Sequence, residues 1–152
     1  MRFFLHECAI FGVADDHRLR QGEEIMKASS VSFQAAILFV IAGMIWGLIM
    51  AISEDHSAAP AHAHLNLLGW VSLFLFGLYY RLHPSLDHSK GAMTQVGLWI
   101  VGTIIQAVGV GLVTTGDTSG EPFAAGGSLV VLASMLLFGW LVFQSERAGV
   151  RV

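Results

Sequence analysis

The stretch PAHAHLNLLGWVSLFLFGLYYRL, residues 60–82, decides the fold. Two histidines stand at its start, and it then carries no charged residue from Leu65 to Tyr80. A run of this kind has the roughly 20 residues that a helix needs to cross a lipid bilayer. The whole chain agrees, because 55% of its 152 residues are hydrophobic, 12% are charged, and its mean hydropathy is +0.66. This composition is typical of an integral membrane protein rather than a soluble domain.

Four segments are long and apolar enough to span the bilayer. They cover residues 31–53, 61–82, 92–115 and 122–144. They predict an all-α integral membrane four-helix bundle in which residues 31–152 form one domain, with no room for a soluble catalytic module. A β-barrel is rejected because the apolar runs are continuous rather than alternating.

The positive charges of the loops predict the orientation. Lys and Arg occur before the first span, between the second and third spans, and in the tail, but not in the first or third loop. Because positive loops stay on the cytoplasmic side, both termini are predicted inside (N-in/C-in), in a multi-pass protein of the inner, cytoplasmic membrane. His56, His62 and His64 then lie at or just beneath the outer face.

Residues 1–30 are predicted to form a cytoplasmic segment with two open interpretations. An apolar patch too short to span the bilayer precedes a mixed-charge stretch, DDHRLRQGEE, at 15–24. The segment is either a short amphipathic helix on the inner surface or a non-native upstream extension of a chain that starts at Met26.

His64 is the principal candidate for a functional residue. An imidazole within the bilayer costs a few kcal/mol, and His64 lies about 5 Å below the predicted outer boundary. It either hydrogen-bonds to interfacial water or ligates a hydrophobic cofactor buried among the helices. Asn66 adds a second polar group, and Gly69 leaves a notch that a flat ring can approach. His62 points to roughly the opposite side of a helix, so both histidines bind one metal ion only if the helix starts after His62.

The motif AHAHLNLLGWVSLFLFGLYYRLHP, residues 61–84, resembles the haem-copper oxidase subunit I superfamily, which includes cytochrome c oxidases and nitric oxide reductases. In that family the second core helix enters from the outer side and carries an axial histidine ligand of the low-spin haem near that end. His64 matches this histidine in helix number, depth and topology. The resemblance covers roughly residues 31–144, although its specific part is the start of the second helix. It implies a bound haem, b-type as the first choice, and electron transfer or diatomic gas binding as the function.

The chain also departs from the family. A full subunit has twelve core helices in three similar four-helix units, with further histidines for copper and a second haem. This chain has four predicted spans and no histidine after His88, so one chain does not encode a complete oxidase active site, and whether it is an enzyme stays open. It resembles a single unit. Our hypothesis is a homo-oligomer, with three copies as one arrangement that reproduces the larger subunit.

The second axial ligand is not determined by the sequence. A low-spin haem needs two axial ligands, and a methionine can serve as one of them. His83 is about 28 Å from His64 along a straight helix and cannot share its iron. The candidates are His64 or His62 of a neighbouring copy, or Met50 near the outer end of the first helix. His56 in the outer loop is a third.

Two other function classes remain. In one, His56, His62 and His64 collect copper or zinc at the outer face, because imidazole suits both metals. In the other, the bundle is a non-catalytic assembly or structural subunit of a respiratory complex, and His64 only makes a buried hydrogen bond. The expected partners are the lipid bilayer, further copies of the chain and, for a haem protein, a redox partner. Nucleic-acid binding is excluded by a net charge of −3 without a basic stripe.

Overall fold

The computed structural model describes residues 26–149, and every regular element in that part of the chain is helical. The four long helices are α1 (Ala28–Ser53), α2 (Ala59–Leu82), α3 (Lys90–Thr114) and α4 (Glu121–Gly149). All four are long and apolar enough to cross a membrane, which confirms the predicted helical class and the number of candidate spans. The predictions for residues 1–25 lie outside the described residues.

The helix boundaries differ from the predicted spans in a systematic way. Each of the first three helices begins two or three residues before the predicted start, and α4 begins at Glu121 and continues past residue 144 to Gly149. The prediction followed the apolar runs, whereas the first three helices begin before those runs and α4 continues past its run through residues 145–149. The apolar run therefore locates a helix but does not mark its ends.

Helix α3 occupies the centre of the arrangement. It packs against each of the other three long helices, and α1 packs along α2, but α1 and α4 make no extensive contact with each other in the described residues. We call the end with the 54–58 and 115–120 loops the His64 end, and the opposite end the Asp87 end. The outward faces of α1 and α4 are lined with exposed aliphatic and aromatic side chains.

Glycines bring α3 and α4 into the closest packing of the fold. A β-carbon on Gly127 would lie 2.5 Å from the backbone nitrogen of Gln106, and one on Gly109 would overlap the backbone of Ala124. A β-carbon on Gly102 would lie 3.0 Å from methyl groups of α4. Small residues at these positions let the two backbones touch, as is usual for helices that pack without a hydrophobic driving force.

The core near the Asp87 end combines aromatic packing with a buried polar network. The ring of Phe76 lies 4.8 Å from that of Trp99 and 4.5 Å from that of Phe138. Beside this cluster, the Tyr80 hydroxyl donates to Gln95 Oε1 (2.9 Å). The Gln95 side-chain amide donates to Ser134 Oγ (3.3 Å), and the Ser134 hydroxyl donates to the backbone carbonyl oxygen of Gln95 (2.7 Å). Three helices are therefore joined by groups with no access to solvent.

Replacing Gln95 tests this network. Gln95→Leu leaves the buried Tyr80 hydroxyl without an acceptor, and we expect the free energy of unfolding in detergent to fall by about 2 kcal/mol. Gln106→Leu is the matched control, because the Gln106 Oε1 atom is buried without a hydrogen-bond partner in the described residues. That substitution should leave the stability unchanged or raise it. If denaturant unfolding showed equal losses of stability in the two variants, the buried hydrogen bonds of Gln95 would not be what stabilises this part of the fold.

Asp87 joins the α2–α3 connection to the start of α1. Its carboxylate accepts the backbone N–H of Ser29 (2.7 Å) and the Ser29 hydroxyl (2.8 Å), and the residue is buried. Lys27, at the N-cap of α1, supplies no side-chain cap, so Asp87 takes that role from 58 residues away in sequence. A carboxylate at a helix N-terminus also interacts favourably with the helix dipole.

Candidate functional site

The backbone of α2 sets the directions of the candidate side chains. The helix begins at Ala59, before both histidines, and its first part runs to His64. Residues two apart on an α-helix point about 200° apart, so His62 and His64 face opposite sides of α2. A single metal ion bound by both histidines of one chain, which required a helix start after His62, is incompatible with this geometry.

A π-helical stretch, Leu65–Ser72, follows directly after His64. The wider turns of a π-helix change the backbone pairing, and the Ser72 hydroxyl donates to the Leu67 carbonyl five residues earlier (2.9 Å). The indole N–H of Trp99 in α3 donates to the Leu68 carbonyl (2.9 Å) and ties the stretch to the central helix. Such stretches occur frequently at functional sites.

His64 presents one ring nitrogen to the protein and leaves the other without a protein partner. Its Nδ1 lies 2.8 Å from the carbonyl oxygen of Pro60, one turn earlier. Because a carbonyl only accepts, Nδ1 must donate, and in the neutral ring the lone pair is then on Nε2. Nε2 makes no hydrogen bond within residues 26–149, and it is not among the buried atoms. This is the tautomer in which histidine binds a metal through Nε2 while its other nitrogen is held by an oxygen.

The surface beside His64 is apolar and open. Pro60 and Leu67, which lie one turn before and one turn after His64 on the helix surface, are exposed, and Leu67 is 60% exposed. The preceding residue, Ala63, is exposed as well, whereas Ala61 on the other flank of His64 is buried. His64 itself is partly exposed. A flat hydrophobic group that reaches Nε2 would therefore contact aliphatic side chains.

His62 and Asn66 lie on the other side of α2, against α1. A β-carbon on Gly47 would be 3.1 Å from the His62 ring, and one on Gly43 would overlap the Asn66 side chain, so these two glycines form the slot that holds both polar groups. The Asn66 amide donates to the His62 carbonyl (2.9 Å) and lies within 3.4 Å of both nitrogens of the His62 ring. Gly43 and Gly47 are small residues four positions apart, and they allow α1 and α2 of the same chain to pack closely.

Met50 and Gly69, the other predicted site residues, are also used in packing. Met50 is buried, and its spacing from Gly43 and Gly47 places it on the α1 face that meets His62. The helix backbone of α2 therefore lies between Met50 and His64. The notch at Gly69 is filled by the ring of Phe39, whose Cγ would be 2.6 Å from a β-carbon at that position.

His56 lies in the exposed loop between α1 and α2. Its Nδ1 is 3.1 Å from the Glu54 carbonyl, and Glu54 itself ends α1 in a left-handed conformation (φ 57°). The backbone N–H of Ser57 donates to Asp55 (2.9 Å), and this bond lowers the pKa of the Asp55 carboxyl below its usual value. Within residues 26–149, no three His, Cys, Asp or Glu side chains come together as a metal site.

His83 offers an internal comparison for His64. Its Nδ1 makes the same bond to a carbonyl one turn earlier, that of Tyr79 (2.7 Å). Its ring, however, stacks on the Tyr79 ring with the centroids 4.1 Å apart. The local bond is therefore not specific to His64, and the open apolar surface is what sets His64 apart.

No family model, curated protein or solved structure matches this chain in the comparisons with known proteins.

Proposed function

We propose that this chain is a small b-type cytochrome of the inner membrane that binds haem through His64, similar to one four-helix unit of haem-copper oxidase subunit I. The observation that supports it is the bond from His64 Nδ1 to the Pro60 carbonyl, which leaves Nε2 as a lone-pair donor on an open apolar surface. The chain acts in electron transfer or in the binding of a diatomic gas.

The membrane placement in this proposal has two supports. The four helices have the length and composition of membrane spans, and their exposed side chains are mostly aliphatic and aromatic. The Lys and Arg residues among the described residues lie at the Asp87 end, which supports a cytoplasmic location for that end. His64 then lies near the outer face of the membrane.

The residues around His64 fit a haem in their chemistry. The imidazole supplies the axial nitrogen, the Pro60 carbonyl fixes the tautomer and the ring orientation, and the neighbouring aliphatic side chains suit the apolar face of a porphyrin. Bound haem would supply one-electron chemistry or a site for a gas molecule. Asn66 and Gly69 support the site indirectly, because they fix the packing of α2 on α1.

Haem and metal analysis of the purified protein tests the proposal. Protein produced in cells supplied with haem precursors and purified in detergent should show a reduced-minus-oxidised spectrum with sharp low-spin bands, and copper and zinc well below one equivalent by elemental analysis. Stoichiometric copper or zinc without haem would instead support the metal-handling alternative. Colourless, metal-free protein would support the structural-subunit alternative.

A further inference from the structure

A haem site at His64 is incomplete within one chain. A low-spin haem needs a second axial ligand at the same depth in the membrane, on the far side of the ring from His64. Three other residues of the same chain were candidates near this end of the bundle: His62, Met50 and His56. The structure shows where the side chain of each of them lies.

None of the three can reach a haem held by His64 of the same chain. His62 points to the opposite side of α2, where its ring packs on Gly47 and under the Asn66 amide. Met50 is buried on the α1 face that meets His62, so α2 separates it from His64. His56 lies in the exposed loop beyond the helix ends, with Nδ1 at the Glu54 carbonyl.

These exclusions also bear on the symmetry of the assembly. In a ring of three copies each interface joins two different surfaces, so the two ligands of a shared haem would have to be different residues. His62 and Met50 are used in packing, and His56 lies in the loop beyond the helix ends rather than at the depth of His64, so the ligand that a second copy can offer is the one the first copy offers. The same residue facing itself across an interface requires a two-fold axis.

We infer that two copies of this chain share one haem across a two-fold axis normal to the membrane, each copy contributing Nε2 of His64. This inference rests on the proposed haem ligation by His64 and names the partner that completes it. The paired surface is the exposed strip of α2 around His64, formed by Pro60, Ala63 and Leu67, which covers the two faces of the ring. Both copies keep the same orientation in the membrane, as a two-fold axis along the membrane normal demands.

A mixed-copy experiment tests the shared ligand. Wild-type chain and His64→Ala chain, carrying different affinity tags, are co-produced with haem precursors, and the mixed pair is isolated by sequential purification on both tags. Wild-type pairs should hold one haem per two chains, counted against protein by the pyridine haemochrome method. Mixed pairs should have lost the low-spin bands, because one of the two axial ligands is missing. Mixed pairs made with His62→Ala chain are the control and should keep the wild-type spectrum.

The outcomes separate this inference from the proposed function. One haem per chain, or an unchanged low-spin spectrum in the mixed pair, would overturn the shared site while leaving ligation by His64 intact. Failure to recover a doubly tagged complex when both tags are carried by wild-type, haem-loaded chains would overturn it as well. A wild-type protein without haem would overturn the proposed function itself. Far-UV circular dichroism of the mixed pair checks that the His64→Ala chain is folded.

Discussion

Gly127→Ala is expected to lower the free energy of unfolding by about 3 kcal/mol, the upper end of the range for overpacking. The added β-carbon would lie 2.5 Å from the Gln106 nitrogen and 2.7 Å from its Cα, so the obstacle is backbone rather than a movable side chain. Helices α3 and α4 would have to separate along their whole contact. The midpoint of unfolding in a denaturing detergent titration, followed by far-UV circular dichroism, measures the loss.

The neighbouring glycine provides the control for this prediction. A β-carbon on Gly126 meets nothing within 4 Å, so Gly126→Ala should be neutral or stabilise α4 by up to about 1 kcal/mol through helix propensity. The two substitutions are chemically identical and one position apart. Equal unfolding midpoints for Gly127→Ala and Gly126→Ala would contradict the close contact between α3 and α4 at Gly127.

Loss of the haem spectrum is the second large effect, and we expect it from His64→Ala. Removing the imidazole removes the only donor that the proposal gives the iron in each copy, so the low-spin bands should disappear and the haem content of the purified protein should fall at least tenfold. A tenfold loss corresponds to about 1.4 kcal/mol of binding free energy, which is small for an axial bond. Visible spectroscopy and haem extraction provide both readouts.

His83→Ala is the matched control for His64→Ala. His83 makes the same Nδ1 bond to a carbonyl one turn earlier but lies at the Asp87 end of the same helix. Its removal should leave the haem spectrum as in the wild type. Low-spin bands that survive His64→Ala, or that are lost equally in both variants, would contradict the assignment of the ligand.

The sequence predicts the number and the positions of the helices because hydrophobicity acts over a whole span. The long apolar runs, such as 31–53, were sufficient for this. Gly43 and Gly47 stand four residues apart, a spacing that allows a close helix contact, and the structure contains one there. The spacing does not predict which side chains pack against these glycines. Asn66 and His62 do so because of the register between α1 and α2.

Other features depend on three-dimensional pairing and leave little trace in the sequence. The π-helical stretch after His64 has ordinary helix-forming residues, and its stabilising bond comes from Trp99, 31 positions beyond Leu68. His83, Asp87 and His88 are residue types that bind divalent metal ions and stand close together in sequence, whereas in the structure the Asp87 carboxylate caps α1. Nothing in the sequence links Gln95, Ser134 and Tyr80, because each of these polar residues alone is common in a helical bundle and their hydrogen bonds depend on how the helices pack.

An experimental density map of the haem-loaded protein in a lipid nanodisc tests the central claim most directly. We expect flat porphyrin density whose iron is bonded to Nε2 of His64, with Nδ1 still at the Pro60 carbonyl. A map in which the His64 ring faces lipid or solvent, with haem held elsewhere or absent, would contradict it.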